Sequence, residues 1–369
     1  MKVSKNPERY LRYIIPPALL RTHRTKQILT ANPIAAFKRK DAEQIQITVF
    51  DYTHDVLEER ELETINDCFT FKGNGKFTWI NVDGLRKKEV ETICDHFGIH
   101  HLVAEDILSV NQRPKMDEVD DILYCLLNML YFNEKEHVVE QEQVSIALGK
   151  DFVITFQEDP NKDVFNPIRE RLRMANSKLR KSGADYLCYT MLDLIVDNYF
   201  FVMEKLGEKT EVLEEEVIRD SNRRPLVHIN QLRKELIVLK RNIAPVRDLI
   251  GGIIRSENEL LDERTIKYFK DVHDHIIQAH DLSENYRDVI ISMQELYINN
   301  VNLRMNEVMK VMAIVTCLLA PPTVIGGIFG MNFDIIPAAG NPWGFYATVA
   351  VMLLIPAGML IIFKRRGWF

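Results

Sequence analysis

The sequence predicts an α/β cytosolic domain followed by long helices and a two-span α-helical membrane hairpin. Three observations carry that reading. Strand-like runs occupy residues 45–158, helical patterns replace them after Pro167, and two uncharged apolar stretches stand near the C-terminus, at 311–329 and 343–363. A bilayer core about 30 Å thick needs roughly 20 helical residues at 1.5 Å each, so both stretches are long enough to span it. A mean hydropathy of -0.14 over the 369 residues places most of the mass in water.

Residues 1–40 hold ten Lys and Arg against one acid, Glu8, which leaves a net charge of -15 for the rest of a chain whose total is -6. No helical period organises these basic residues, so they read as a flexible arm rather than a nucleic-acid surface. No apolar h-region follows them, so no signal peptide is expected. Cys68, Cys94, Cys125, Cys188 and Cys317 follow no paired spacing, which suits reduced thiols and a cytosolic body.

The α/β domain is expected over 41–165. Its strand candidates are 45–52, 77–84, 121–132, 143–150 and 151–158, each alternating or rich in aromatic and β-branched residues. The last two read as a hairpin turning at Gly149-Lys150-Asp151. Glu58 to Cys68 suits a short helix, and 85–98 an amphipathic helix closed by Gly98. A helical hairpin follows over 166–258, with long helices at 168–219 and 222–255. The first ends in Glu211, Glu214, Glu215 and Glu216, an acidic tip that reads as a solvated face unless a cation path runs nearby.

A stalk helix over 259–330 continues into the first span, at about 311–330. Phe269, Val272, Ile276, Ala279, Ser283, Tyr286, Ile290, Met293 and Tyr297 recur at steps of three and four. So do Asn306, Met309, Ala313, Thr316, Ala320, Thr323, Gly327 and Gly330. The second set is a small and polar stripe on an otherwise Val-, Ile- and Leu-rich helix. It supports two readings: a helix–helix seam, with Gly326-x-x-x-Gly330 as its close-packing motif, or the lining of an axis in a ring of copies. A helix of about seventy residues buries no such seam alone, so self-association is expected. Residues 331–342 form a loop without Lys or Arg, and 343–363 the second span, with Trp343 and Tyr346 at one interface. Lys364, Arg365 and Arg366 open the basic tail 364–369. With Arg304 and Lys310 before the first span, the positive-inside rule puts both termini in the cytosol and the loop outside.

This layout, with Gly330-Met331-Asn332 closing the first span, resembles the CorA family of magnesium and cobalt transport proteins. The resemblance covers about residues 41 to 369. It is carried by FGIHHLVAEDILSVNQRPK (97–115), ADYLCYTMLDLIVDNYF (184–200), YFKDVHDHIIQ (268–278), MNEVMKV (305–311) and GIFGMNF (327–333). It implies a funnel-shaped homopentamer in the cell (inner) membrane, with the first span lining the pore. Gly330, Met331 and Asn332 would form the external selectivity motif, Asn306 a second polar ring, and Met309 and Met312 an apolar gate. Thr316 and Thr323 would line the path between. Asp106 and Asp271 would hold regulatory Mg²⁺ between protomers, with Glu105 and Asp193 at a neighbouring site. Mg²⁺ is thereby both cargo and regulator, and Co²⁺ a further cargo.

Three features depart from or add to that pattern. The loop reads Ile336-Pro337-Ala338 where the family often has Met-Pro-Glu, leaving Asp334 as its acid. Pro322 follows Pro321 in mid-span. Asp271 and His275 lie at i, i+4, a spacing able to share a transition metal. The expected function is a passive Mg²⁺ and Co²⁺ channel, extending to Ni²⁺, gated by cytosolic Mg²⁺. The alternatives are a Zn²⁺ or other transition-metal transporter of the same fold, or a membrane-anchored sensor or scaffold. No Gly-x-x-x-x-Gly-Lys-Ser/Thr loop is present for a nucleotide, and no nucleophile–base set for an enzyme.

Overall fold

The computed structural model describes residues 41–110, 112–219, 224–331 and 341–368. The basic arm 1–40, the helix–helix joint at 220–223 and residues 332–340 lie outside them, and with them Asn332, Asp334 and the Ile336-Pro337-Ala338 stretch. Contacts group the chain into two units, one of residues up to Glu211 with 230–290, the other of 212–229 with 291–369.

The first unit is built on a seven-stranded sheet of β1 (Gln46–Tyr52), β2 (Leu57–Leu62), β3 (Phe77–Asp83), β4 (Lys115–Val119), β5 (Ile122–Asn133), β6 (Val138–Leu148) and β7 (Phe152–Gln157). Their order is β2-β1-β3-β7-β6-β5-β4, antiparallel throughout except for the parallel pair β3 and β7. The alternation of each central strand is spent on two cores. Ile47, Val49, Ile80, Val82, Ile154 and Phe156 pack with α1 (Lys87–Phe97) and α2 (His101–Leu108). From the other face, Trp79 stacks on Phe50 at 4.9 Å, meets the edge of Phe165 and donates its indole N–H to Thr155 Oγ1 at 2.9 Å. β5 also meets the long helices α4 (Ala184–Arg219) and α5 (Arg224–Arg255). Tyr199 donates its hydroxyl to the Asn128 carbonyl at 2.6 Å, and Asn128 donates its amide to Asn242 at 2.7 Å. Gly98 ends α1 at φ 77°, the left-handed cap expected of it.

Two expectations fail for local reasons. Residues 58–68 are not a helix: the Thr53 amide bonds Val56 O at 2.8 Å, closing a tight turn that folds β2 back on β1. Pairing to an existing strand overrides the helical propensity of a Leu-Glu-Glu-Arg-Glu-Leu segment, and its charges sit well on an exposed sheet edge. Helix follows only as a 3₁₀ segment, Ile65–Phe71, opened by the reciprocal Thr64–Asp67 cap. Nor is 168–219 one helix. A short α3 (Asn166–Arg173) stops there because the Arg180 guanidinium bonds the carbonyls of Leu172 and Arg173, satisfying the helix end from outside. The long helix α4 starts only at Ala184, after Gly183.

α6 (Glu263–Phe329) runs for 67 residues, and α7 (Gly344–Arg365) for 22. Residues of α6 up to Ile290 belong to the first unit and the rest to the second. In the second unit Asn300 donates to the Val217 carbonyl at 2.9 Å. The acidic tip is partly neutralised, by Arg219 on Glu215 at 3.2 Å and His228 on Glu216 at 2.8 Å.

Candidate ion path and metal sites

The apolar end of α6 has two distinct faces. Ile314 is buried, and Lys310, Leu318, Pro321, Pro322 and Ile325 are half-buried. On α7 the less exposed residues other than Gly358 fall on one line, Gly344, Thr348, Met352, Pro356, Met359 and Phe363, at the steps of three and four that mark a single helix face. Gly326 lies against Met352, where an added Cβ would stand 3.4 Å from its methyl carbon. The hairpin seam therefore uses the Leu-, Ile- and Pro-bearing side of α6 together with Gly326. At about 100° of rotation per residue, Asn306, Met309, Ala313, Thr316, Ala320, Thr323, Gly327 and Gly330 fall on roughly the opposite side. All eight are exposed. Met312 borders the same side and is 63% exposed.

The hydroxyls of Thr316 and Thr323 donate to the carbonyls of Met312 and Leu319, at 2.9 and 2.8 Å. Their donor capacity is thereby spent on the helix, while their oxygens keep lone pairs on the exposed face. Gly330 caps the span by donating to Gly326 O at 3.0 Å, and exposed Met331 follows. Asn332, the third member of that motif, lies outside the described residues.

The acids expected to bind metal are distributed over α2, α4 and α6. Glu105 is exposed on α2, and its neighbour Asp106 is held 2.6 Å from Lys115 Nζ on β4. Lys115 also reaches Asp117 at 2.7 Å. Burial opposes the charge on Lys115, but its hydrogen bonds to Asp106 and Asp117 outweigh burial and raise its pKa above the ordinary lysine value. Gln143 fixes the end of α2 by donating to the carbonyls of Asp106 and Ile107. Asp271 is exposed near the start of α6. Among the described residues no cluster within one chain contains Asp106 and Asp271 together; the cluster that does form is a different one.

That cluster is Asp193 and Asp197 of α4 with His275 of α6, whose ligand atoms all lie within 4.8 Å of one another. Tyr189 donates to Asp193 at 3.4 Å. Burial pushes the Asp193 carboxyl above its ordinary pKa, the Asp197 charge adds to the rise, and His275 opposes it. The family resemblance names Asp193, but beside Glu105, and it does not name Asp197, although its place one turn along Asp-Leu-Ile-Val-Asp is a usable signal. Spacing along the sequence sets His275 beside Asp271 on α6, whereas the fold brings the imidazole to the pair on α4.

The profile of the family described as CorA-like Mg²⁺ transporter protein matches residues 74–365. The chain is 37% identical over 330 residues to the cobalt/magnesium transport protein CorA of Thermotoga maritima, covering 89% of this chain and 94% of that one. It is 26% identical over 296 residues to the protein of the same description from Methanocaldococcus jannaschii, covering 79% and 92%. The complete structure of the CorA magnesium transporter from Methanocaldococcus jannaschii superposes with a TM-score of 0.73 at 24% identity, over 88% of this chain and 98% of that one.

Proposed function

The chain belongs to the CorA family of metal-ion transporters, which are membrane proteins and not enzymes, and from that premise we propose that it is a passive channel for Mg²⁺ and Co²⁺ influx. The observation that carries this reading is the exposed small and polar stripe of α6, set opposite the face that α7 covers. A stripe left free by its own hairpin is available to line an axis among copies, and a homopentamer of the family's kind gives it one. Asn332 then offers neutral amide oxygens to incoming ions at the outer end. Mg²⁺ gives up its inner waters reluctantly and prefers octahedral oxygen, so amides that hydrogen-bond those waters select it without trapping it. Thr323, Thr316 and Asn306 continue the polar path inward, and the exposed Met309 and Met312 close it by excluding water.

With both termini in the cytosol, the membrane potential drives uptake. Two charges across 100 mV correspond to about 4.6 kcal/mol, enough without nucleotide. Regulation falls to acids of neighbouring protomers, Asp106 and Asp271, with Glu105 and Asp193 nearby. Carboxylate oxygens suit a hard cation. Asp271 is exposed, and Asp106 is only half-buried but carries Lys115 as an internal counter-ion, which a bound cation has to displace or share.

The test is divalent flux into proteoliposomes holding only this protein. Mg²⁺ and Co²⁺ should enter down their gradients, and Asn332→Ala should reduce flux to that of protein-free vesicles while the oligomer stays intact. Normal flux through a correctly assembled Asn332→Ala protein would take the motif out of the ion path.

A further inference from the structure

Asp193 and Asp197 sit one turn apart on α4, so their carboxylates share a face. The fold presents His275 of α6 to that face. Phe200 meets the imidazole edge-on at 6.4 Å, and Tyr189 packs on Phe269 two turns before His275, so aromatic contacts fix the approach of the two helices. The His275 Nδ1 is buried and has no hydrogen-bond partner. A buried polar nitrogen without a partner is costly and asks what satisfies it. Two carboxylates and an imidazole with ligand atoms this close are a donor set for a divalent ion. Tetrahedral bonds of about 2.0–2.1 Å set ligand atoms roughly 3.3 Å apart, so small side-chain rotations close a set already within 4.8 Å.

We propose that Asp193, Asp197 and His275 of a single chain form a binding site for a borderline divalent cation of the Zn²⁺, Co²⁺ or Ni²⁺ class. The imidazole decides the class. Mg²⁺ strongly prefers oxygen, whereas Zn²⁺, Co²⁺ and Ni²⁺ bind nitrogen and oxygen together. All three donors come from one chain, so the site exists whether or not copies assemble. One consequence rests on the transport reading above: Asp193 serves this site and the Mg²⁺-regulatory acids by turns. A transition metal held here withdraws Asp193 from Mg²⁺, which couples the cytosolic level of one class of ion to the control of the other.

The experiment is calorimetric titration of the tag-free, metal-stripped, full-length protein in detergent with Zn²⁺, and separately with Co²⁺ followed by its visible absorption. One ion per chain should bind and resist displacement by millimolar Mg²⁺. Asp197→Asn and His275→Gln should each weaken binding at least about tenfold, and His275→Gln should change the Co²⁺ spectrum. Asp281→Asn, at an exposed acid of α6 outside the cluster, should leave both readings unaltered. Circular dichroism of Asp197→Asn, a near-isosteric change, guards against a folding defect. The proposal is overturned by absence of stoichiometric Zn²⁺ binding, by Mg²⁺ displacing Zn²⁺ at equal concentration, or by both variants binding as the parent does. Flux through Asn332→Ala bears on transport alone, so failure of the transport reading and failure of this metal site are told apart.

Discussion

The α/β body and the membrane hairpin treat apolar side chains in opposite ways. In the body Trp79, Ile80, Val49, Leu126 and Ile154 are wholly buried by their own chain. In the hairpin Leu353 and Leu354 are each 69% exposed and Val324 61%, and almost none of the apolar window of either span is covered. The body is thus a finished object, stabilised by removing apolar area from water. The hairpin is unfinished: one face of each span is partly shielded by the other, and the rest requires lipid or further copies. The difference also sorts the polar groups. Asn81, Asp83, Thr155 and Gln157 form a buried hydrogen-bonded network in the sheet, while Asn306, Thr316 and Thr323 are laid along an outer face.

The sharpest way to break this contrast is a pair of matched deletions. Trp79→Ala removes a stacked, hydrogen-bonded ring from a closed core and should cost about 3–5 kcal/mol, read as a fall in the unfolding midpoint of the body. Leu353→Ala, on an exposed line of α7, should cost well under about 1 kcal/mol, because little protein contact is lost. Equal losses would mean that the hairpin face is packed against protein.

A second test uses pH. Burial, reinforced by the Asp163 charge, pushes the Asp83 carboxyl up to about 7 from its ordinary 3.8. The folded state therefore holds a proton that the unfolded chain releases near pH 4. The contribution of this group to the stability of the body should be greatest below about pH 4, fall as pH rises toward 7, and level off above. The change should be on the order of 2–4 kcal/mol. Asp83→Asn should flatten that slope; an unchanged slope would place the titration elsewhere.

Smaller effects should separate closure by dryness from closure by charge. Met312→Ser should admit ions even with internal Mg²⁺ present, because a wettable ring no longer excludes them, while Mg²⁺ still protects the body from protease. Asp106→Asn with Asp271→Asn should do the reverse, weakening protection. Behaviour like the parent's at high internal Mg²⁺ would move the barrier from Met312 toward Asn306. The least effect is expected from Lys115→Gln. Freed of its counter-ion, Asp106 should gain affinity for cations, so protection should appear at several-fold lower Mg²⁺. A shift to higher Mg²⁺ would show Lys115 to be positioning the acid instead.

Whatever depends on period and length was legible along the chain. Nineteen uncharged residues announce a span, steps of three and four mark one helix over 259–330, and alternation at 77–84 and 151–158 marks strands, all properties of neighbours along the chain. What depends on partners distant in sequence came only with folding. β2 is a strand because β1 is there to pair with it, and α3 ends where Arg180 reaches its carbonyls. The stripe of α6 could have been a seam or a free face, and only the packing of α7 on the other side settles which face the hairpin itself uses. His275 could be placed on α6 by counting, but its meeting with Asp193 and Asp197 spans some eighty residues of chain. Periodicity fixes which way a side chain faces along its own helix, whereas the identity of the group opposite is set by how helices pack, and that information is not local.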